Sequence, residues 1–208
     1  VFTIPDLYLA LFEAYGPQHW WPGDTRDEIV IGALLTQNTA WTNVERAIAG
    51  LKAAGLCTLA ALRCAAAAQV AQLIRPSGYY NQKAPRLIGL AGALDDLEAT
   101  DDIAARAHLL SQKGVGPETA DSILLYAYNR PIFVIDAYTR RNGSRLALRP
   151  ATDDYPGWQR LFTQALPQDA RLFNEYHALL VRHAKQHCRK RPLCKGCVLS
   201  GDCPREGL

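Results

Sequence analysis

The sequence predicts an all-α protein of about ten helices. Three observations carry that expectation. Apolar residues recur at helical spacing through most of the 208 residues, helix start and stop signals punctuate them, and strand-like alternation is nearly absent. The strongest strand-like segment, Ile132 to Ile135, is too isolated to build a sheet.

The elements follow in order. Thr25-x-x-Glu28 reads as a capping box ahead of Ile29, Val30, Ala33 and Leu34. Thr42-x-x-Glu45 reads as a second box, opening a helix that ends near Gly55. Thr58 caps a short helix through Arg63; the alanine-rich run from Cys64 to Ile74 follows, and Pro76 with Gly78 stops it. Tyr79 and Tyr80 follow that turn and are expected to pack. Another helix covers Asn81 to Ala93, and Asp101 or Asp102 opens one ending near Leu110. Near the end, Leu172, Tyr176, Leu179, Leu180 and His183 share one face of a long helix leading to Cys188. The histidines show no convincing metal-site spacing.

Composition bounds the class. An apolar fraction of 49% suits a globular chain with a real core, and no apolar run reaches eighteen residues, so no membrane span is expected. The first residues lack the pattern of a signal peptide, which points to a cytoplasmic protein. A net charge of +3 does not by itself imply nucleic acid, but its distribution matters. Residues 182–195 hold six basic side chains and no acidic one, while Asp95, Asp96, Glu98, Asp101 and Asp102 form an acidic inter-helix loop. The basic stretch reads either as a solvated helix end or as a surface for phosphate.

Four of the six cysteines lie inside or beside that stretch. Cys188, Cys194, Cys197 and Cys203 read C-x5-C-x2-C-x5-C. Bridging Cys194 to Cys197 would close a tiny strained loop, so the set points to a metal centre rather than disulfides. Tetrahedral zinc usually takes two well-separated C-x2-C knuckles. A single C-x2-C flanked by one cysteine on each side wraps better around a larger body, which favours a [4Fe–4S] cluster over zinc. Cys57 and Cys64 are expected as small buried residues.

A second constellation lies at Leu110 to Ala127. Gly114-Val115-Gly116 turns sharply between helices, and Pro117 and Glu118 suit a helix first turn. The glycines permit positive φ and close approach of a ligand, and the new helix offers free N–H groups. Val115 is expected to plug the turn into the core. Either a plain tight turn or a phosphate grip on DNA backbone fits these residues. Twenty residues after Gly116, an apolar segment delivers Asp136 to the start of a helix, as an N-cap, a positioned carboxylate, or both.

These residues together resemble the endonuclease III branch of the helix-hairpin-helix DNA glycosylases. The resemblance spans nearly the whole chain through LLTQNT at 34–39, GYYNQKA at 78–84, KGVGPETA at 113–120, VID at 134–136 and the cysteine loop. It implies a six-helix barrel domain, here residues 24–136, and an iron–sulfur domain from residues 1–23 and 137–208, with the active site in the cleft between them. It implies a monomer acting on double-stranded DNA that contains a damaged base, associated with the nucleoid. By the same resemblance Asp136 is the catalytic aspartate. Lys113, Gly114, Val115 and Gly116 would bind DNA phosphate, with a monovalent cation at the hairpin, and Gln37 would fill the gap left by an extruded base. Arg189, Lys190 and Arg191 would contact DNA beside the cluster. The first cysteine interval is one residue shorter than the family's usual six.

One departure bears on chemistry. Bifunctional members carry a lysine immediately before the hairpin-helix Thr-Ala, and here that position is Glu118. A carboxylate cannot form the Schiff base that leads to strand cleavage, so a hydrolytic, monofunctional glycosylase is expected, with weak or no abasic-site lyase activity. HWWPGD at 19–24 is similar to the 3-methyladenine glycosylase members, in which aromatic residues stack on a flipped alkylated purine. Trp20 and Trp21 are therefore candidates for the pocket, with packing at the domain junction as the plain alternative. Oxidised pyrimidines, cleaved bifunctionally, are the runner-up substrates. An impaired damage-binding protein is the alternative of another class.

Overall fold

A computed structural model of the chain describes residues 2–20, 23–95 and 97–208. Every regular element among the described residues is helical, and none is long and apolar enough to cross a membrane. The chain divides into two units, one of residues 21–128 and one of residues 1–20 with 129–208.

The first of these is organised around α2 (Arg26–Leu35). Thr25 caps it by accepting the Glu28 N–H at 3.2 Å. Ile29, Val30, Ile31, Leu34 and Leu35 are all buried, so α2 is apolar nearly all round and forms the middle of its unit. Trp41, first residue of α3 (Trp41–Ala53), packs on Gly32, where an added Cβ would come 3.3 Å from the indole. That contact starts α3 before Thr42, so the expected capping box does not form and Ala40 stands at the N-cap with no side-chain bond.

The short helix that Thr58 caps, α4 (Leu59–Arg63), ends at the expected residue, and the alanine-rich run resumes as α5 (Ala67–Leu73) after a turn in which the Cys64 and Ala65 N–H groups fold back onto the carbonyls of Ala61 and Leu62. Cys64 is exposed and Cys57 half-buried, rather than both being core residues. The chain continues through α6 (Tyr80–Gly92) and α7 (Asp102–Ser111) to α8 (Pro117–Ser122), which runs on into a π-helical turn at Ile123–Ala127. In the acidic loop, Arg63 pairs with Asp95 and Arg26 with Glu98. Asp96 lies outside the described residues.

The second unit packs α11 (Ala170–Gln186) against α1 (Ile4–Tyr15) and α9 (Ala137–Arg145). Its core is aromatic. Phe133 stacks on Phe162 of α10 (Tyr155–Thr163) with centroids 4.4 Å apart, and meets Phe173 and Tyr176 edge-on. The fully buried Tyr176 donates its hydroxyl to the Ile4 carbonyl at 2.8 Å, tying α11 to the start of the chain. Gly143 of α9 sits against Trp158, where a Cβ would fall 2.4 Å from the ring.

Candidate functional site

The hairpin between α7 and α8 turns at Gly114, whose φ is +85°. Gly116, by contrast, is extended at φ −96° and serves as the N-cap of α8. Only the first glycine therefore needs positive φ. Val115 is buried at 7% exposure and anchors the turn, while Lys113 and Glu118 are exposed. The Arg86 side chain lies where a Gly114 Cβ would stand, 2.4 Å away, so the arginine covers the turn. Behind it, Asp121 is fully buried and takes two bonds from Arg106, at 2.7 and 3.2 Å, which pin α8 to α7.

Gln37 joins the same group. Its amide nitrogen donates to the Gly114 carbonyl at 3.0 Å and to the Thr119 hydroxyl at 2.9 Å, so the loop after α2 is fastened to the hairpin. A buried lysine holds that loop from below. Lys83 is 2% exposed, and its ammonium donates to the carbonyls of Leu35, Gln37 and Ser77 at 2.8, 2.9 and 2.8 Å. Burial pushes its pKa down. The sequence motif GYYNQKA contains Lys83 but does not disclose this role. The signal was a lysine beside Ala84 in the helix that follows the Gly78 turn. Tyr79 in that motif is 64% exposed, contrary to the packing expected of it, because its left-handed backbone (φ +46°) at the start of α6 turns it outward.

In the other unit Asp136 is the N-cap of α9. One carboxylate oxygen accepts the Thr139 N–H at 2.7 Å. The other lies 3.5 Å from Nε2 of His177, a buried residue of α11. Burial alone would raise the Asp136 carboxyl, but the facing imidazole and the Thr139 N–H outweigh it and hold the group below its ordinary value. The Asp136 side chain keeps 12% of its surface exposed, enough for approach from one side. The His177 ring stacks on Trp20 at 6.0 Å and 29°. Trp21 lies outside the described residues. Sequence reasoning misses His177, because it looks for histidines at metal-site spacing. The partnership of His177 with Asp136 joins residues 41 positions apart and leaves no local pattern.

The four C-terminal cysteines are free thiols lining one small cavity of about 30 Å³, with His183, His187 and Arg145. Arg145 donates to the Cys188 sulfur at 3.3 Å and to the carbonyls of Arg189 and Lys190 at 2.6 and 3.1 Å. Burial raises the Cys197 thiol, and the other three sulfurs add to the rise. His183, driven down to about 4 by burial and by His187, bonds the Tyr15 hydroxyl at 2.9 Å. Among the described residues no three His, Cys, Asp or Glu side chains converge tightly enough for a single metal ion. Arg189, Lys190 and Arg191 are all exposed.

Comparison with known proteins agrees with this architecture. Residues 31–168 match the family model of the HhH-GPD superfamily base excision DNA repair proteins. The chain is 45% identical over 206 residues to a proposed DNA repair glycosylase of Methanocaldococcus jannaschii, MJ1434, covering 95% of this chain and 94% of that one. It is 28% identical to endonuclease III of Sulfolobus acidocaldarius, over 87% of this chain and 83% of that one. Among solved structures, H. pylori 3-methyladenine DNA glycosylase bound to 1,N6-ethenoadenine aligns with a TM-score of 0.79 and 28% identity, covering 89% of this chain and 98% of that one. A non-covalent endonuclease III–DNA complex shares the fold, with a TM-score of 0.83 at 20% identity, covering 99% and 97%. The chain belongs to the HhH-GPD superfamily and is a DNA glycosylase of base excision repair.

Proposed function

We propose that this glycosylase is monofunctional and releases alkylated purines by hydrolysis. The observation that carries the reading is Asp136, a carboxylate held ionised at a helix N-terminus with one face open. As the glycosidic bond breaks, positive charge develops on the sugar. A fixed, desolvated carboxylate stabilises that charge and orients or deprotonates the attacking water. Glu118 at the family lysine position supplies no amine for a Schiff base. Alkylated purines carry positive charge and leave readily, so this modest apparatus suffices for them, and indole faces suit them as stacking partners. Trp20 is the pocket candidate within the described structure. The likeness to the H. pylori 3-methyladenine glycosylase, which was solved with a modified adenine bound, is consistent with this substrate class.

The remaining roles follow on the same reading. The base leaves the stack, Gln37 enters the gap, and the main chain and Lys113 at the hairpin grip phosphate, with a monovalent cation beside it. The protein acts as a monomer on duplex DNA in the cytoplasm. Residues 24–136 serve as the barrel domain, and 1–23 with 137–208 as the cluster domain.

The four cysteines fit a [4Fe–4S] cluster. Each thiolate of a cubane binds a different iron, so the sulfurs share one cavity without converging as they must round a single ion. When bound, the cluster would supply structural cross-linking through Cys188, Cys194, Cys197 and Cys203. The chain's own Arg145 steadies the loop between the first two of these through the Arg189 and Lys190 carbonyls, and the exposed side chains of Arg189, Lys190 and Arg191 are the candidates for DNA contact.

The test is a panel of methylated, thymine-glycol, uracil and abasic duplexes, scored separately for base release and strand nicking. Release from methylated DNA without nicking is expected. Efficient borohydride trapping of a covalent complex would contradict the hydrolytic reading.

A further inference from the structure

The group facing Asp136 is an imidazole whose position is set by packing. His177 lies on α11 beside Tyr176, is 4% exposed, and has one ring face against Trp20. Its Nε2 lies 3.5 Å from the carboxylate oxygen that does not take the Thr139 N–H. The 3.5 Å separation is long for a hydrogen bond, but such contacts tighten when substrate occupies a site.

Several charged or titratable side chains on the packed elements are engaged elsewhere, among them Arg182 of α11, which donates to the Tyr15 carbonyl and to the Gln18 side-chain oxygen. On α11, Glu175 accepts the Gln18 N–H, the Tyr176 hydroxyl goes to Ile4, and His183 bonds Tyr15. On α9, Arg140 pairs with Asp153, while Arg141 donates to the Cys188 carbonyl and lies over the Tyr138 ring. On α1, Tyr8 meets Tyr176 and Phe12 through its ring.

Resting on the reading of Asp136 as the catalytic carboxylate, we infer that His177 is its positioning residue. The imidazole holds the second oxygen from Nε2, so that both oxygens are fixed and the open face points at the sugar. Through its stacking on Trp20, the same ring links the carboxylate to the candidate base pocket. A misplaced carboxylate loses most of its benefit, since an error near 1 Å costs on the order of a hundredfold.

The experiment compares His177→Phe, His177→Gln and Asp136→Asn as full-length proteins. Phenylalanine preserves the ring against Trp20 and removes the nitrogen, while glutamine restores a donor near Nε2. Single-turnover base release from dimethyl-sulfate-treated duplex DNA is measured across pH. In parallel the Asp136 carboxyl is titrated by side-chain 13C NMR, its resonance identified by loss in Asp136→Asn. His177→Phe is expected to slow release by roughly ten- to hundredfold and to move both the acid limb and the carboxyl midpoint upward. His177→Gln should recover part of the rate. A His177→Phe protein with the wild-type rate and an unmoved carboxyl midpoint would overturn the inference, even where Asp136→Asn is inactive. Near-normal release by Asp136→Asn would instead overturn the catalytic reading, and the carboxyl titration would still decide whether His177 governs Asp136.

Discussion

Replacing Lys83 with methionine should cost several kcal/mol, because its side chain is buried and holds the loop that carries Gln37. Its ammonium serves three carbonyls at once: Leu35 at the end of α2, Gln37 in the loop beyond, and Ser77 before the Gly78 turn. Methionine keeps the apolar stem and nearly the volume, so no large cavity opens. What disappears is the donor. The bonds to Leu35 and Ser77 are buried, and each carbonyl left unsatisfied costs about 1–3 kcal/mol. Relief from burying an ammonium offsets part of this, so a net loss of about 3 kcal/mol is expected. For a chain of this size that lowers Tm by about 6–12 °C. Chemical denaturation gives the loss directly, and an unchanged m value would show that the native and unfolded states keep their extents. Arginine should rescue poorly, because its planar fork cannot send three donors into a pocket shaped for one ammonium. A loss below about 1 kcal/mol for Lys83→Met would refute the view that this lysine fastens the Gln37 loop.

Four other outcomes are expected. Asp136→Asn should fold and bind lesion DNA yet lose most turnover, measured by gel shift and single-turnover release on the same duplex. In the wild type, the depressed Asp136 carboxyl contributes stability that is fully present above its unfolded value near 3.8 and is lost as pH falls through the lower folded value. A stability profile that begins to fall well above pH 4 in the wild type but not in Asp136→Asn would contradict that sign. Gly143→Ala should destabilise by about 1–3 kcal/mol by driving a methyl into Trp158, read by thermal melting. Neutralising Arg189, Lys190 and Arg191 should weaken DNA binding for all sequences alike and flatten the salt dependence, by about 0.9 in the log–log slope for each phosphate no longer neutralised. An unchanged slope would leave that loop off the DNA.

Helix existence was legible in the sequence because it depends on local chemistry. Thr25, Thr58 and Asp101 each cap the helix that follows, and Pro117 opens α8, as their residue types dictate. Boundaries set by packing were not legible. The start of α3 follows from Trp41 settling on Gly32, ahead of the threonine expected to open it. The family, too, was readable, since hairpin, VID and cysteine loop occur in order along one chain.

For this protein the sequence alone determined the helices, the order of its motifs, the cysteine set, and the replacement of the family lysine by Glu118. Each is a matter of residue type and spacing along the backbone. Only the tertiary structure decided that His177 faces Asp136, that Gln37 bonds the hairpin, and that Lys83 is buried beneath the loop. Those pairings join residues roughly 40 to 80 positions apart. They form because the core brings their helices together, and side-chain direction across such distances carries no periodic signature.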